Sequence, residues 1–328
     1  MRVVTVTPAL PSEDYARTTA FIPRQLDSLR REGIDIDLVE IAGLSKTKYA
    51  RSVIPVRERA VAADLVHAHY GFCGWVARCQ KRRPVIVSFL GSDLLYFAHE
   101  SPVNGVLHRL EIASNRVLAR LVAAVIVKTQ EMAATLGSVP AYVIPNGVDL
   151  EIFAPSARDA ARAALGWEQR RRRVLFPGNP AQRRKAFPLA RDAVDRASRV
   201  LGDEIEIVAL SNVPADRVPT IMNACDAMIL TSLAEGSPNV VKEAMACNLP
   251  IASVSVGDVC FLLDGVRRCR LTPRDPGALA AALVDLLSAT EPSDGRAHLK
   301  RKGLDAETVA RSLVAVYEEV VARYRRTA

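Results

Sequence analysis

The stretch DAMILTSLAEGSPNVVKEAMACNLPIASVSV, residues 226 to 256, decides the fold. It opens and closes on short apolar runs, DAMILTS (226–232) and PIASVSV (250–256), and neither shows the polar alternation of a sheet face open to water. Strands buried on both faces read this way, and two of them joined through a helix run parallel. Ser237 is a good N-cap type and Pro238 a good first-turn residue, which predicts a helix from about 238 to 247. Asn248 would stop it in the left-handed conformation before Pro250. The whole is one β-α-β unit. Its loop leaves the carboxyl end of a strand, the edge where ligands bind in open α/β sheets.

The same rhythm runs outward in both directions. Upstream stand the strands RVVTVTP (2–8), DIDLVEI (35–41), LVHAHY (65–70), PVIVSFLG (84–91) and AAVIVKT (123–129). Helices are expected at 18–33, 74–82 and 105–120. VIPNGVDLEIFAP (143–155) breaks the alternation with an Asn146-Gly147 turn closed by Pro155, after which it restarts at RVLFPGNP (173–180) and EIEIVALS (204–211). The prediction is two Rossmann-like, doubly wound parallel-sheet α/β domains, 1–148 and 149–304. A last helix in 305–328 carries Val309, Leu313, Val316, Tyr317, Val320 and Tyr324 as one apolar stripe and is expected to pack back on the first domain.

Composition narrows the function. A chain of 328 residues, 49% hydrophobic, buries a large core. The longest apolar runs are too short to span a membrane, and Pro8 interrupts the N-terminal strand before a signal-peptide core could form. The expected compartment is the cytoplasm, with contact at the inner face of the plasma membrane. Six scattered cysteines, no C-x-x-C pair and no histidines at ligand spacing point to reduced thiols and no metal site. A net charge of +8 favours an anionic partner, yet the basic clusters lack interleaved aromatics and any recognition signature, so no nucleic acid is expected. The segment 44–61, basic with apolar residues between the charges, suits an anionic membrane surface or an ordinary solvated loop and helix.

Within the opening stretch, Glu235 stands just outside the predicted helix and Glu243 about one and a half turns inside it. The unpaired amides and positive dipole end of that helix suit a phosphate between them. A carboxylate accepts hydrogen bonds from vicinal hydroxyls, so two of them flanking a phosphate site describe a nucleotide sugar. The alternative is a solvated Glu235 and a Glu243 paired with Lys242 or another neighbour.

TSLAEGSPNVVKEAMACNLPIASVSVGDV resembles the E-x7-E donor signature of retaining family 4 glycosyltransferases of the GT-B fold, especially bacterial polysaccharide and teichuronic-acid-type enzymes. AFIPRQLDSLRREG, DLVHAHYG, VIVSFLGSDLL, VIPNGVDLEIFAP and NACDAMILTS follow in the family's order, so the resemblance covers nearly the whole chain. It implies that Glu235 meets the donor hexose, Glu243 the ribose, and the backbone of Gly236, Ser237, Pro238, Asn239 and Val240 the sugar and diphosphate. Lys185 matches the family's diphosphate lysine, with Arg184 or Arg183 as the second cation, while Asn179 stands where an arginine is usual. On the acceptor side it implies His69, Gly91 and Asp93. Leu90 takes the place of a frequent histidine, and SEDYARTTAF (12–21) lacks the usual glycine.

The implied reaction moves a hexose from a nucleoside-diphosphate sugar to a glycan or lipid-linked acceptor, with cations replacing a metal. No D-x-D pair occupies a suitable loop, since DID (35–37) opens a strand. A nicotinamide dehydrogenase is excluded because no glycine occurs before Gly33 and so no G-x-G-x-x-G follows the first strand. The remaining alternative is a catalytically silent nucleotide-sugar binder or assembly protein of the same fold.

Overall fold

The computed structural model describes residues 1–8, 10, 21–43, 45, 47–97 and 102–327. It divides into two compact units, Met1–Gly147 with Ala306–Ala328, and Val148–Asp305. The loop 12–21 and the start of the expected helix 18–33 lie largely outside the described residues, as do two positions of the basic segment 44–61.

The first unit holds six parallel strands: β1 (Arg2–Pro8), β2 (Asp35–Ile41), β3 (Leu65–His69), β4 (Val85–Ser88), β5 (Ala124–Val127) and β6 (Tyr142–Val143). Their order is β2-β1-β3-β4-β5-β6. The central strands are apolar on both faces because helices cover both: β3 and β4 are buried along their whole length. The helix Ala306–Thr327 returns to this sheet, burying Val309, Leu313, Val316, Tyr317 and Val320 against Leu65, Ile86 and Ile126. Its Tyr317 hydroxyl meets Nδ1 of His67 at 2.6 Å, and Tyr324 donates to the Arg82 carbonyl at 2.9 Å.

The second unit has five parallel strands: β7 (Arg172–Phe176), β8 (Ile205–Ala209), β9 (Ala227–Leu230), β10 (Ile251–Val254) and β11 (Cys269–Thr272), in the order β11-β10-β9-β7-β8. In both sheets the first strand of the unit sits between the second and the third. The chain direction across the sheet therefore reverses between β1 and β3, and again between β7 and β9, and such switch points open a crevice at the carboxyl ends of the two strands.

Several boundaries differ from the sequence reading. The helix expected at 74–82 is Gly71–Arg78, because the chain turns sharply at Tyr70 and enters the helix directly from β3. Strand 84–91 shortens to Val85–Ser88, and the helix at 105–120 lengthens to Pro102–Leu121. Segment 44–61 forms two short helices, Thr47–Arg51 and Val53–Arg59.

Candidate functional site

The switch point of the second unit brings together the loops after β7 and β9. After β7 the chain doubles back: the Gly178 amide donates to the Phe176 carbonyl at 2.9 Å, and Asn179 Oδ1 accepts from the Ala181 amide at 2.9 Å. A short 3-10 turn, Arg183–Lys185, then ends at Ala186, which takes a left-handed φ of 48° to start the helix Phe187–Leu201. The loop after β9 is tied to this turn. Thr231 Oγ1 donates to the Lys185 carbonyl at 2.9 Å, the Leu233 amide donates to the Arg184 carbonyl at 2.8 Å, and Arg184 Nη1 donates to the Ala234 carbonyl at 2.7 Å.

These ties bring two of the predicted cations onto the predicted carboxylate. Lys185 Nζ lies 2.7 Å from Glu235 Oε1, and Arg184 Nη1 lies 3.0 Å from the same oxygen. Burial pushes the Glu235 carboxyl up, but the charges of Lys185 and Arg184 outweigh it and hold the group below its ordinary value. The result is a partly buried cluster of a lysine and an arginine on one carboxylate oxygen. Gly178 makes room for it: a Cβ there would stand 3.0 Å from Cε of Lys185. Asn179 serves the turn through its Ala181 bond, while Arg184 and Lys185 are the cations set on Glu235.

The helix after this loop is Asn239–Ala246, one residue later than predicted at its start, and Ser237 is not its cap. Pro238 occupies the cap position with φ −69° and ψ 110°, and no side chain caps the first turn. Ser237 is drawn elsewhere, its Oγ accepting from the buried Lys242 Nζ at 3.2 Å. The first-turn amides of Asn239 and Val240 follow directly from the Glu235–Gly236 loop, and Asn248 takes the expected left-handed φ of 56°. Glu243 is half-buried one turn further along.

A layer beneath the loop was not foreseen. Gly257 has φ +53°, and a Cβ on it would lie 2.1 Å from the Gly236 carbonyl oxygen. Asp258 donates its amide to that same oxygen at 3.1 Å. Burial pulls Lys242 down to about 8, while Asp258 and Glu243 pull it back up. Burial raises Asp258, opposed by its hydrogen bond to Ser237 and by Lys242. Arg274 closes the layer by donating to the Thr231 and Ser232 carbonyls at 2.6 and 2.8 Å. The available signal was the run VGDV (256–259) at the carboxyl end of β10, the edge shared with the loops above.

The corresponding switch point of the first unit carries the other predicted residues. His69 ends β3 fully buried, with Nε2 3.0 Å from Gln25 Oε1 and Nδ1 without a hydrogen-bond partner. Burial, then Lys128, drives its pKa down to about 3. His67 is lowered well below the ordinary range by burial, His69 and Lys128. Tyr70 follows with φ 78° and ψ 147°, a conformation side chains rarely adopt. Gly71 leaves room for Asn115, since a Cβ would meet its Oδ1 at 2.1 Å and force that side chain to shift.

Asp93 is turned inward. Its carboxylate accepts from the Leu90 amide at 2.9 and 3.0 Å and from the Gly91 amide at 2.9 Å, and Asn115 Nδ2 holds its carbonyl at 2.9 Å. Burial nevertheless lifts it to about 6. Asp93 thus builds the Leu90–Gly91 turn, its carboxylate directed at the chain's own amides. Among the described residues, no group of three or more His, Cys, Asp or Glu side chains could hold a metal ion, and no helix is long and apolar enough to cross a membrane.

Comparison with known proteins covers both units. A family described as Glycosyltransferase Family 4 matches residues 2–152, and one described as Glycosyl transferases group 1 matches residues 169–289. A putative teichuronic acid biosynthesis glycosyltransferase of Bacillus subtilis (strain 168) is 26% identical over 249 residues, 70% of this chain and 62% of that protein. The D-inositol 3-phosphate glycosyltransferase of Mycobacterium tuberculosis (strain CDC 1551 / Oshkosh) is 25% identical over 303 residues, 80% of this chain and 62% of its own. The chain therefore spans about 62% of the length of these curated relatives. Among solved structures, sucrose-phosphate synthase from Thermosynechococcus elongatus superposes with a TM-score of 0.78 at 18% identity, covering 98% of this chain and 100% of that one. Anabaena HepE in complex with UDP and glucose gives 0.70 at 17%, covering 97% and 100%.

Proposed function

Since the chain belongs to the family 4 and group 1 glycosyl transferases and has their GT-B fold, we propose that it is a retaining, metal-independent hexosyltransferase using a nucleoside-diphosphate sugar. The observation that carries this reading is the Glu235–Lys185–Arg184 cluster at the β7/β9 switch point, beside the first turn of the helix Asn239–Ala246. Glu235, ionised and partly buried, accepts hydrogen bonds from the hexose hydroxyls, and Glu243 accepts them from the ribose. The backbone from Gly236 through Ser237 and Pro238 to Val240 receives the sugar and diphosphate.

Breaking the anomeric C–O bond leaves negative charge on the departing diphosphate. Lys185 and Arg184 are held beside it by the backbone ties to Thr231, Leu233 and Ala234, so little reorganisation is needed as that charge grows. The helix amides add to the same stabilisation. The departing oxygen takes the proton of the acceptor hydroxyl, which attacks from the same face. The acceptor is a glycan or a lipid-linked acceptor of cell-surface polysaccharide synthesis, handled in the cytoplasm, with His69, Gly91 and Asp93 shaping the first unit's edge. The presence of UDP and glucose in the HepE complex supports a nucleotide-sugar donor.

Calorimetric and thermal-shift titration with UDP-, GDP- and ADP-sugars, without added metal, tests the proposal on the wild type and on Lys185→Ala and Glu243→Ala. One nucleotide sugar should bind, and both substitutions should weaken it. Binding of that donor without transfer to any acceptor would favour the silent binder of the same fold. No binding at all would sink the donor-site reading.

A further inference from the structure

The helix Pro102–Leu121 of the first unit has two apolar faces. One packs inward through Ile112, Leu118 and Ala119. The other is open: Val103, Val106, Leu107, Leu110, Val117 and Leu121 remain 46 to 66% exposed. At 100° per residue these six fall within an arc of about 100°, which among the helix's other residues takes in Ser114 alone. Apolar side chains aligned over five turns form a patch of the kind that marks an interaction surface, unlike single exposed leucines.

The charge beside the patch identifies its partner. Arg109, Arg116 and Arg120, all exposed, form a row along one flank of the stripe. The helix's one acidic residue, Glu111, is half-buried on the other side. Tyr96, itself 44% exposed, lies under the Arg109 guanidinium at 4.9 Å and adds an aromatic ring with a polar tip to the same margin. We propose that this face of the helix docks on a bilayer containing anionic phospholipid. The leucines and valines would enter the acyl boundary, and the arginine row would lie among the phosphates. The helix would rest on the membrane, since it is not apolar enough to cross one. A symmetric pair of chains fits less well, because it would bring two rows of like charge to one interface. The inference does not depend on the transferase reading: a chain that transfers nothing could still dock.

Vesicle flotation of the full chain provides the test, comparing phosphatidylglycerol mixed equally with phosphatidylcholine against phosphatidylcholine alone. The wild type should float with the anionic vesicles and be released by salt. The double substitution Leu107→Ser with Leu110→Ser should cut binding by at least about tenfold. Each arginine contributes roughly fivefold, so changing Arg109, Arg116 and Arg120 to Gln should cost on the order of a hundredfold. Unchanged melting temperatures show that the variants fold, and if the leucine variant does not, the arginine variant carries the test. Failure of the wild type to bind anionic vesicles overturns the proposal. So does binding that ignores both sets of substitutions, or a vesicle-free dimer that the leucine substitutions dissociate.

Discussion

The two units have sheets of the same order and place a switch point at the same edge, yet they treat charge there in opposite ways. At β7/β9 the groups are kept ionised: Glu235 is held below its ordinary pKa by Lys185 and Arg184. At β1/β3 burial works against charge: it takes His69 down to about 3, so the ring stays neutral, and Asp93 up to about 6. Topology supplies a crevice in both, and among the described residues the second supplies an electrostatic reason for a phosphate to enter. On the proposed reaction the contrast is a division of labour, with charge stabilisation in the second unit and a shaped polar wall in the first.

Removing the cation should break the contrast most severely. Lys185→Ala leaves a partly buried Glu235 with Arg184 alone and takes a positive charge from the leaving group. A loss of about 10² to 10³ in kcat is expected, comparable to removing one preorganised donor from an anion-stabilising site. Nucleotide release measured at saturating donor would show it. If only KM rises, Lys185 serves binding and the charge in this crevice does not act on the transition state.

Asp93 tests the opposite edge. Its folded pKa, about 6, lies above the carboxyl's ordinary 3.8, so the folded chain holds more protons than the unfolded chain between those values, and Asp93's contribution falls as pH rises through that window. The full swing is about 3 kcal/mol, from two pKa units at 1.36 kcal/mol each. Denaturant unfolding of wild type and Asp93→Asn from about pH 4 to about pH 7 should show the wild type's advantage shrinking by roughly that amount. An advantage that instead grew with pH would mean that the Leu90 and Gly91 amides outweigh burial, and that this edge also holds a stable charge.

A smaller effect is expected beneath the donor loop. Gly257→Ala puts a methyl group 2.1 Å from the Gly236 carbonyl oxygen and forces a left-handed φ on alanine, so the Glu235–Ser237 segment must shift. Donor affinity should fall about tenfold, at a backbone-strain cost of roughly 1–3 kcal/mol in stability. Equal affinity in both proteins would show that the loop is positioned by Lys185 and Arg184 from the front and not by Gly257 and Asp258 from behind.

The parallel sheets were legible because their strands are buried on both faces and lack alternation, and because each crossover helix has its own stop signals, such as Asn248. Glu235 and Lys185 were legible through spacing and residue type. Lys242 was not: in sequence it is an ordinary polar position and a candidate partner for Glu243, and only the fold shows it buried with Ser237 as its acceptor. Ser237 misled for the same reason, because cap preference is local whereas the residue's hydroxyl is claimed from five positions along the helix. Asp93 enters through the resemblance of GSD as an acceptor-side residue, and its inward turn depends on amides that residue identity does not record.

The smallest expected effect on the reaction is also the one that separates the two edges most clearly. His69 sits where an acid–base group would be sought, but a folded pKa of about 3 leaves it neutral throughout the physiological range. Its ring should therefore show no titration by nuclear magnetic resonance between about pH 5 and about pH 8, and His69→Gln should leave the shape of the pH–rate profile unchanged. Stability behaves differently. Because the folded pKa is depressed, the neutral ring's contribution is present above its unfolded value of 6.5 and is lost as pH falls towards 3, so the substitution should flatten acid unfolding there. A His69 that titrated near its ordinary value would mean that water reaches the end of β3. The first unit's crevice would then carry a switchable charge beside its acceptor wall, and the contrast with Glu235 would reduce to the sign of the charge.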